Sequence, residues 1–182
     1  MSDIVIISGS PSEFSRSGKI LDYLGRLLER EHFSIKHVSV KDIPPEDLVY
    51  GNVHSPAIQK VSLDIQGAAG VIVGSPVYKA AYSGVLKTLF DLLPQDVFKN
   101  IPVLPLMTGG SPGHLLAIEF SLKPLIASLK GKSLQGLYFL DSQINREQKN
   151  PIIDEESLLR TKKQLYEFIE TVKNNKHLAS SL

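Results

Sequence analysis

Three short segments hold most of the residues able to do chemistry. The first reads Gly9-Ser10-Pro11-Ser12-Glu13-Phe14-Ser15-Arg16-Ser17-Gly18-Lys19. It offers the hydroxyls of Ser10, Ser12, Ser15 and Ser17, the guanidinium of Arg16 and, at the start of a helix, backbone N–H groups without helical acceptors. Such a set suits one terminal phosphate, held by hydrogen bonds and the helix dipole rather than by many fixed charges. The same residues would also make an ordinary turn with Ser15 or Ser17 capping the helix. The segment is not a nucleoside-triphosphate loop, because Ile20 follows Gly18-Lys19 and Glu13 stands where the opening glycine belongs. Nor is it a dinucleotide fingerprint, because Pro11 takes the place of the second glycine and blocks close approach of a pyrophosphate.

The second segment, Gly74-Ser75-Pro76-Val77-Tyr78-Lys79-Ala80-Ala81-Tyr82-Ser83-Gly84, sets an apolar and aromatic wall against which a flat heteroaromatic ring can lie. Taken singly, Tyr78 and Tyr82 also suit surface or interface positions. The third, Thr108-Gly109-Gly110-Ser111, lets backbone approach the polar edge of such a ring, and equally suits a flexible turn. Other chemistries find little support. His32, His37, His54 and His177 lack metal-binding spacing, and His114 reads first as a loop residue before a helix. Ser8, Ser10 and Ser75 stand in no nucleophile elbow, and Glu46-Asp47 and Asp154-Glu155-Glu156 read as solvated charges.

Composition narrows the field further. The chain has 182 residues, 42% hydrophobic and 21% charged, which suits one globular domain over residues 1–182. Twenty basic against 19 acidic residues leave a net charge of +1, so no field directs it to nucleic acid or an anionic membrane. It contains no cysteine, which removes disulfides, thiolate nucleophiles and cysteine-bound metals. The first apolar run, Ile4 to Ile7, is too short for a signal peptide or a membrane span, and a soluble cytoplasmic protein is the expectation.

The elements that must position the three segments follow from periodicity. Short apolar runs alternate with amphipathic stretches, the pattern of an α/β protein whose parallel sheet is covered on both faces. Strands are expected at Ile4 to Ser8, Ile35 to Val40, Gly70 to Gly74, Val103 to Met107 and Leu137 to Leu140. Pro105 is awkward within its strand because it lacks a donor. Helices follow at Ile20 to Leu28, from Ser55 through Ile65, at Val85 to Leu93, at His114 to Leu129, and along Leu158, Leu165, Phe168, Ile169 and Val172. Pro124 must kink or widen the fourth of these. The Pro44-Pro45 region reads as a loop and Asn174 to Leu182 as a frayed tail. Five strands and five helices at this length suit a doubly wound five-stranded parallel sheet of flavodoxin-like order 2-1-3-4-5, with helices on both faces and ligands at the carboxyl ends of strands 1 and 3. The three chemical segments follow strands 1, 3 and 4.

Together, Gly9-Ser10-Pro11 with Ser15-Arg16-Ser17, Gly74 to Lys79 with Ser83-Gly84-Val85-Leu86-Lys87, and Thr108 to His114 resemble the NAD(P)H-dependent FMN reductases of the flavodoxin-like superfamily. The resemblance spans nearly the whole chain. With its Leu122-Lys123-Pro124 run, the chain is most similar to the reductase component of alkanesulfonate monooxygenase systems, the SsuE type.

That resemblance implies hydride transfer from NADPH or NADH to FMN, with reduced flavin passing to a partner monooxygenase in sulfur metabolism. By the same carry-over, Ser10, Ser15, Arg16 and Ser17 would hold the phosphate. Pro76, Val77, Tyr78, Ser83 and Gly84 would line the isoalloxazine, and Thr108, Gly109 and Gly110 would border its pyrimidine side. No side chain is assigned as catalytic acid or base, and no metal is expected. The family also implies a homodimer or homotetramer, with Tyr82, the Phe90 helix and the Phe120 helix as candidate buried faces. One departure stands out: Phe120 occupies the place of a tyrosine that SsuE-type reductases associate with a π-helical insertion and with flavin release. Its lost hydroxyl leaves open a quinone or azo-dye reductase that retains FMN, and a non-catalytic FMN electron carrier like flavodoxin is a separate alternative, against which the net charge of +1 weighs.

Overall fold

The computed structural model describes residues 2–180, with side chains described through residue 175. Its centre is a parallel sheet built from β1 (Ile4–Ser8), β2 (Ile35–Ser39), β3 (Gly70–Pro76), β4 (Pro102–Gly109), β5 (Lys132–Ser133) and β6 (Leu137–Leu140). The strand order is β2-β1-β3-β4, with β5 and β6 both pairing β4 along one edge. This is the expected flavodoxin-like order, with the fifth strand divided in two.

Alternation along the central strands assigns the two faces. Ile4, Ile6, Ile72, Leu104 and Leu106 pack with α1 (Arg16–Arg30) and α6 (Glu155–Ser180). Val5, Ile7, Val71, Val73, Val103 and Met107 pack instead on α3 (Pro56–Gln66), α4 (Gly84–Asp91) and the segment around Ile118, Leu122 and Ile126. Burial on both faces explains why these strands read as continuous apolar runs rather than as alternating ones.

Pro105 explains the divided edge. The Leu134 N–H donates to the Val103 carbonyl at 2.9 Å, so odd-numbered residues of β4 turn their backbone groups toward the edge. The donor that Pro105 lacks therefore faces the edge strand, and pairing stops between Val103 and Leu106. The chain leaves and rejoins the ladder through Gly136, whose φ of +95° only glycine adopts easily. The strand on the β3 side keeps its full register, Val73 opposite Pro105 included.

Pro124 acts in the same way on a helix. It cannot donate to the carbonyl of Phe120, and the helix immediately before it widens into a π turn over Ile118–Leu122, where the Lys123 N–H reaches back five residues to Ile118. The expected single helix from His114 to Leu129 is thus three pieces: a 3-10 turn (Pro112–Leu115), the π turn and α5 (Lys123–Ser128). The Pro44-Pro45 region is also corrected, since Pro45 opens a short helix, α2 (Pro45–Tyr50), closed by left-handed Gly51. Among the described residues there are six α-helices rather than five. Of the tail expected to fray, α6 carries the backbone through Ser180, and Ser181 and Leu182 lie outside the described residues.

Candidate functional site

The loops after β1, β3, β4 and β6 meet at the carboxyl edge of the sheet. The Gly9 N–H donates to the Gly74 carbonyl at 2.7 Å, and the Val77 N–H to the Thr108 carbonyl at 2.8 Å. Ser83 ties the first two loops more firmly: its hydroxyl donates to the Gly9 carbonyl and accepts from the Leu86 N–H at 3.1 Å, while its own N–H donates to Ser75 Oγ at 2.9 Å. Between these loops lies a cavity of about 240 Å³ lined by Ser10, Ser12, Phe14, Ser15, Arg16, Pro76, Val77, Tyr78, Thr108, Gly109, Gly110, Asp141 and Arg146. Nine of the twelve expected site residues are on that wall. A larger cavity of about 740 Å³ adjoins it across Ser12, Phe14, Ser15 and Arg146 and runs over α1 toward the end of β2. Of the expected residues only Ser15 lines it.

Three expected residues are placed differently. Ser17 lies fully buried in the first turn of α1, its hydroxyl 2.8 Å from that of Ser15. Ser83 is buried as the N-cap of α4 and acts on the loops rather than on the cavity. Gly84 begins α4 outside the wall, with open space where a Cβ would stand. The two serines are engaged by helix starts: Ser83 caps α4, and the Ser17 hydroxyl pairs with the Ser15 hydroxyl that caps α1.

Ser15 is the N-cap of α1, accepting from the Gly18 N–H at 3.1 Å. Ser10 Oγ accepts from the Ser12 N–H at 3.2 Å. The Arg16 and Ser17 N–H groups open the helix and have no helical acceptor, and α1 carries no acidic residue in its first turn. This corner is therefore electropositive. Two guanidiniums flank it. Arg16 Nη1 lies 3.7 Å from Asp141 Oδ2, and Arg146 Nη1 donates to the Phe14 carbonyl at 2.6 Å.

On the opposite side, the Tyr78 and Ala81 backbones bond reciprocally at 2.8 and 3.2 Å around a tight turn. Lys79 and Ala80 take φ of +49° and +65° there, a conformation costly for side chains with a Cβ. The turn presents a half-exposed Tyr78 beside Pro76 and Val77. The third loop is fixed by the Tyr138 hydroxyl, which donates to the Ser111 carbonyl at 2.6 Å. Burial and the nearby Asp141 carboxylate raise the Tyr138 pKa above 10.0 against that bond's opposing effect. A Cβ on Gly109 would stand 2.7 Å from Tyr138 Oη and 3.1 Å from His114 Nδ1, a buried nitrogen with no partner among the described residues.

Ser12, whose hydroxyl the sequence offers to the phosphate, is on the wall as well, whereas Phe14, Asp141 and Arg146 have no such assignment from sequence. Phe14 sits within the first segment. Asp141 and Arg146 carried a positional signal only, since strand order places the end of the last strand beside that of β4. Among the described residues no group of three or more acidic or histidine side chains could hold a metal ion, and no helix is long and apolar enough to cross a membrane.

An electropositive helix start, an apolar wall and a backbone-lined edge in one cavity fit a phosphorylated flat heteroaromatic cofactor. Residues 2–146 match the family model of NADPH-dependent FMN reductases. The chain belongs to that family. It is 43% identical over 142 residues to an FMN reductase (NADPH) of Escherichia coli strain K12, covering 78% of this chain and 74% of that protein. It is 33% identical over 143 residues to the NADH-dependent FMN reductase SfnF of Pseudomonas putida, covering 74% and 75% respectively. Among solved structures it is similar to the apo form of an NADH:FMN oxidoreductase, EMOB, with a TM-score of 0.83 and 31% identity over 92% of this chain and 88% of that one. Family membership gives the enzyme class, NAD(P)H:FMN oxidoreductase, and the cofactors, FMN with NADPH or NADH.

Proposed function

We propose that this flavin reductase releases the FMN it reduces to a partner monooxygenase, in the cytoplasm, as the reductase half of a system that takes sulfur from alkanesulfonates. The observation that carries the flavin reading is the convergence of the α1 N-terminus and Arg16 with the Pro76–Tyr78 wall and Gly109-Gly110 on one cavity. Bound FMN supplies a ring that accepts hydride from the nicotinamide. The chain's own contribution is positional. Arg16, Arg146 and the first-turn N–H groups of α1 would hold the phosphate, with the Ser10 and Ser15 hydroxyls beside them. Pro76, Val77 and Tyr78 would flank the ring and exclude water from one side, and the backbone of Gly109 and Gly110 would meet its polar edge.

Release rather than retention is supported by the π turn at Ile118–Leu122, the feature that SsuE-type reductases associate with flavin leaving. Phe120 keeps the aromatic ring at that turn, 78% exposed, without the hydroxyl. With Leu115 and Leu116, both more than half exposed, it forms an apolar face suited to a homo-oligomer contact. At the other expected faces two aromatic side chains turn inward. Phe90 is buried inside the protomer against Phe98, edge to face with ring centroids 5.6 Å apart, and Tyr82 packs on the protomer's own core.

The test is NADPH oxidation by flavin-stripped protein as FMN is titrated in, with gel filtration of the loaded protein. Saturable, FMN-dependent turnover and loss of flavin on the column support release. Flavin that survives the column, with turnover only when a quinone or azo dye is supplied, would overturn it.

A further inference from the structure

Asp141 is the one carboxylate among the residues lining the flavin cavity, and it stands where an anion is least expected. It follows β6, and its Oδ2 lies 3.7 Å from Arg16 Nη1. The same oxygen is 3.8 Å from the point where a Cβ on Gly110 would stand, so the carboxylate sits between the phosphate corner and the edge expected to meet the ring. At 3.7 Å the Arg16 contact is an ion pair but too long for a hydrogen bond. Among the described residues the carboxylate has no hydrogen-bond donor. Both partners are about two-fifths exposed (40% and 39%), so the pair adds little to stability, and folding gives no reason for it.

Its effect is on the charge of the site. In the flavin-free enzyme, Asp141 balances the guanidinium that the phosphate needs. An arriving phosphate, carrying nearly two negative charges, must take Arg16 from Asp141 and then tolerate a carboxylate close by. We propose that Asp141 is a built-in competitor for the flavin phosphate, exchanging with it at Arg16 and holding FMN affinity low enough for flavin to come and go. This rests on the reading that the phosphate binds at Arg16 and the start of α1. The competitor discriminates by chemistry: it opposes FMN and leaves riboflavin, which lacks the phosphate, unaffected.

The experiment measures dissociation constants for FMN and riboflavin by flavin fluorescence with flavin-stripped wild type, Asp141→Asn and Arg16→Ala. Asparagine keeps the shape of Asp141 and removes only the charge. The expected result is FMN binding tightened roughly three- to tenfold in Asp141→Asn, with riboflavin unchanged and FMN release slowed by the same factor. Arg16→Ala should weaken FMN relative to riboflavin. If Arg16→Ala does so while Asp141→Asn leaves FMN unchanged or weaker, the competitor role is overturned and the phosphate site stands. A parallel change in FMN and riboflavin on Asp141→Asn would place the carboxylate's action on the ring or ribityl chain, which also overturns it. An FMN-to-riboflavin ratio indifferent to Arg16 would overturn the phosphate reading and the competitor with it.

Discussion

The hydroxyl of Ser83 donates to the carbonyl of Gly9, 74 residues earlier in the chain, while capping the start of α4. One small side chain thus joins the phosphate loop, the ring-wall loop and a helix end. Replacing it with alanine leaves a buried carbonyl and a buried N–H without their partner. Ser83→Ala should lose about 2 to 3 kcal/mol in urea unfolding. It should also weaken FMN binding, because the two loops it registers form opposite walls of the cavity.

Two glycines test where the cavity wall runs. A methyl on Gly109 meets Tyr138 Oη and His114 Nδ1, so Gly109→Ala must displace the Tyr138 hydroxyl that holds the third loop. Its FMN affinity should fall about tenfold, the scale of one lost hydrogen bond. Gly84 has nothing within 4 Å of a new Cβ, and Gly84→Ala should bind FMN as the wild type does. A large loss at Gly84 in fluorescence titration would return that residue to the ring wall.

Ala80 holds a left-handed backbone at the tip of the second loop. Glycine accepts that geometry without the Cβ penalty, offset in part by its larger unfolded-state entropy. Ala80→Gly should therefore stabilise the fold by about 0.5 kcal/mol, raising Tm by about 1 to 2 °C in a thermal scan.

Asp154, just before α6, accepts the Ser157 N–H at 2.8 Å. Hydrogen bonding from Ser157 holds its pKa below the ordinary 3.8. A carboxyl depressed on folding stabilises the native state above its unfolded pKa, and this contribution disappears as pH falls through the folded value. Wild type should melt above Asp154→Ala at neutral pH, and the gap should narrow as the pH is taken below 3.8. A gap that stays constant into acid would show that Asp154 contributes by packing instead.

Much of this architecture was legible in residue types alone. The four-residue run Ile4 to Ile7 and the triplet Val71 to Val73 mark strands covered on both faces, and both are buried strands here. The Ser55-Pro56 helix start is observed as a cap with proline at its first position. The break in the edge strand was less visible, because which neighbour a strand proline faces depends on register, a tertiary property. The local engagement of Ser17 and Ser83 was hidden for a related reason: a serine beside a helix start looks the same whether its hydroxyl points to a ligand or to the helix. Asp141 and Arg146 lie outside the Gly/Ser/Pro-dense loops, and only the closing of β6 beside β4 brings them to the cavity.

The interruption that Pro105 imposes reaches beyond the sheet's interior. An unbroken outer strand is a template on which another polypeptide can add itself, rung by rung, toward fibrous aggregates. Here that border offers two residues, a gap, then four. A proline that costs this protein one rung of its ladder thereby shortens, along this edge, the surface on which misassembly could start.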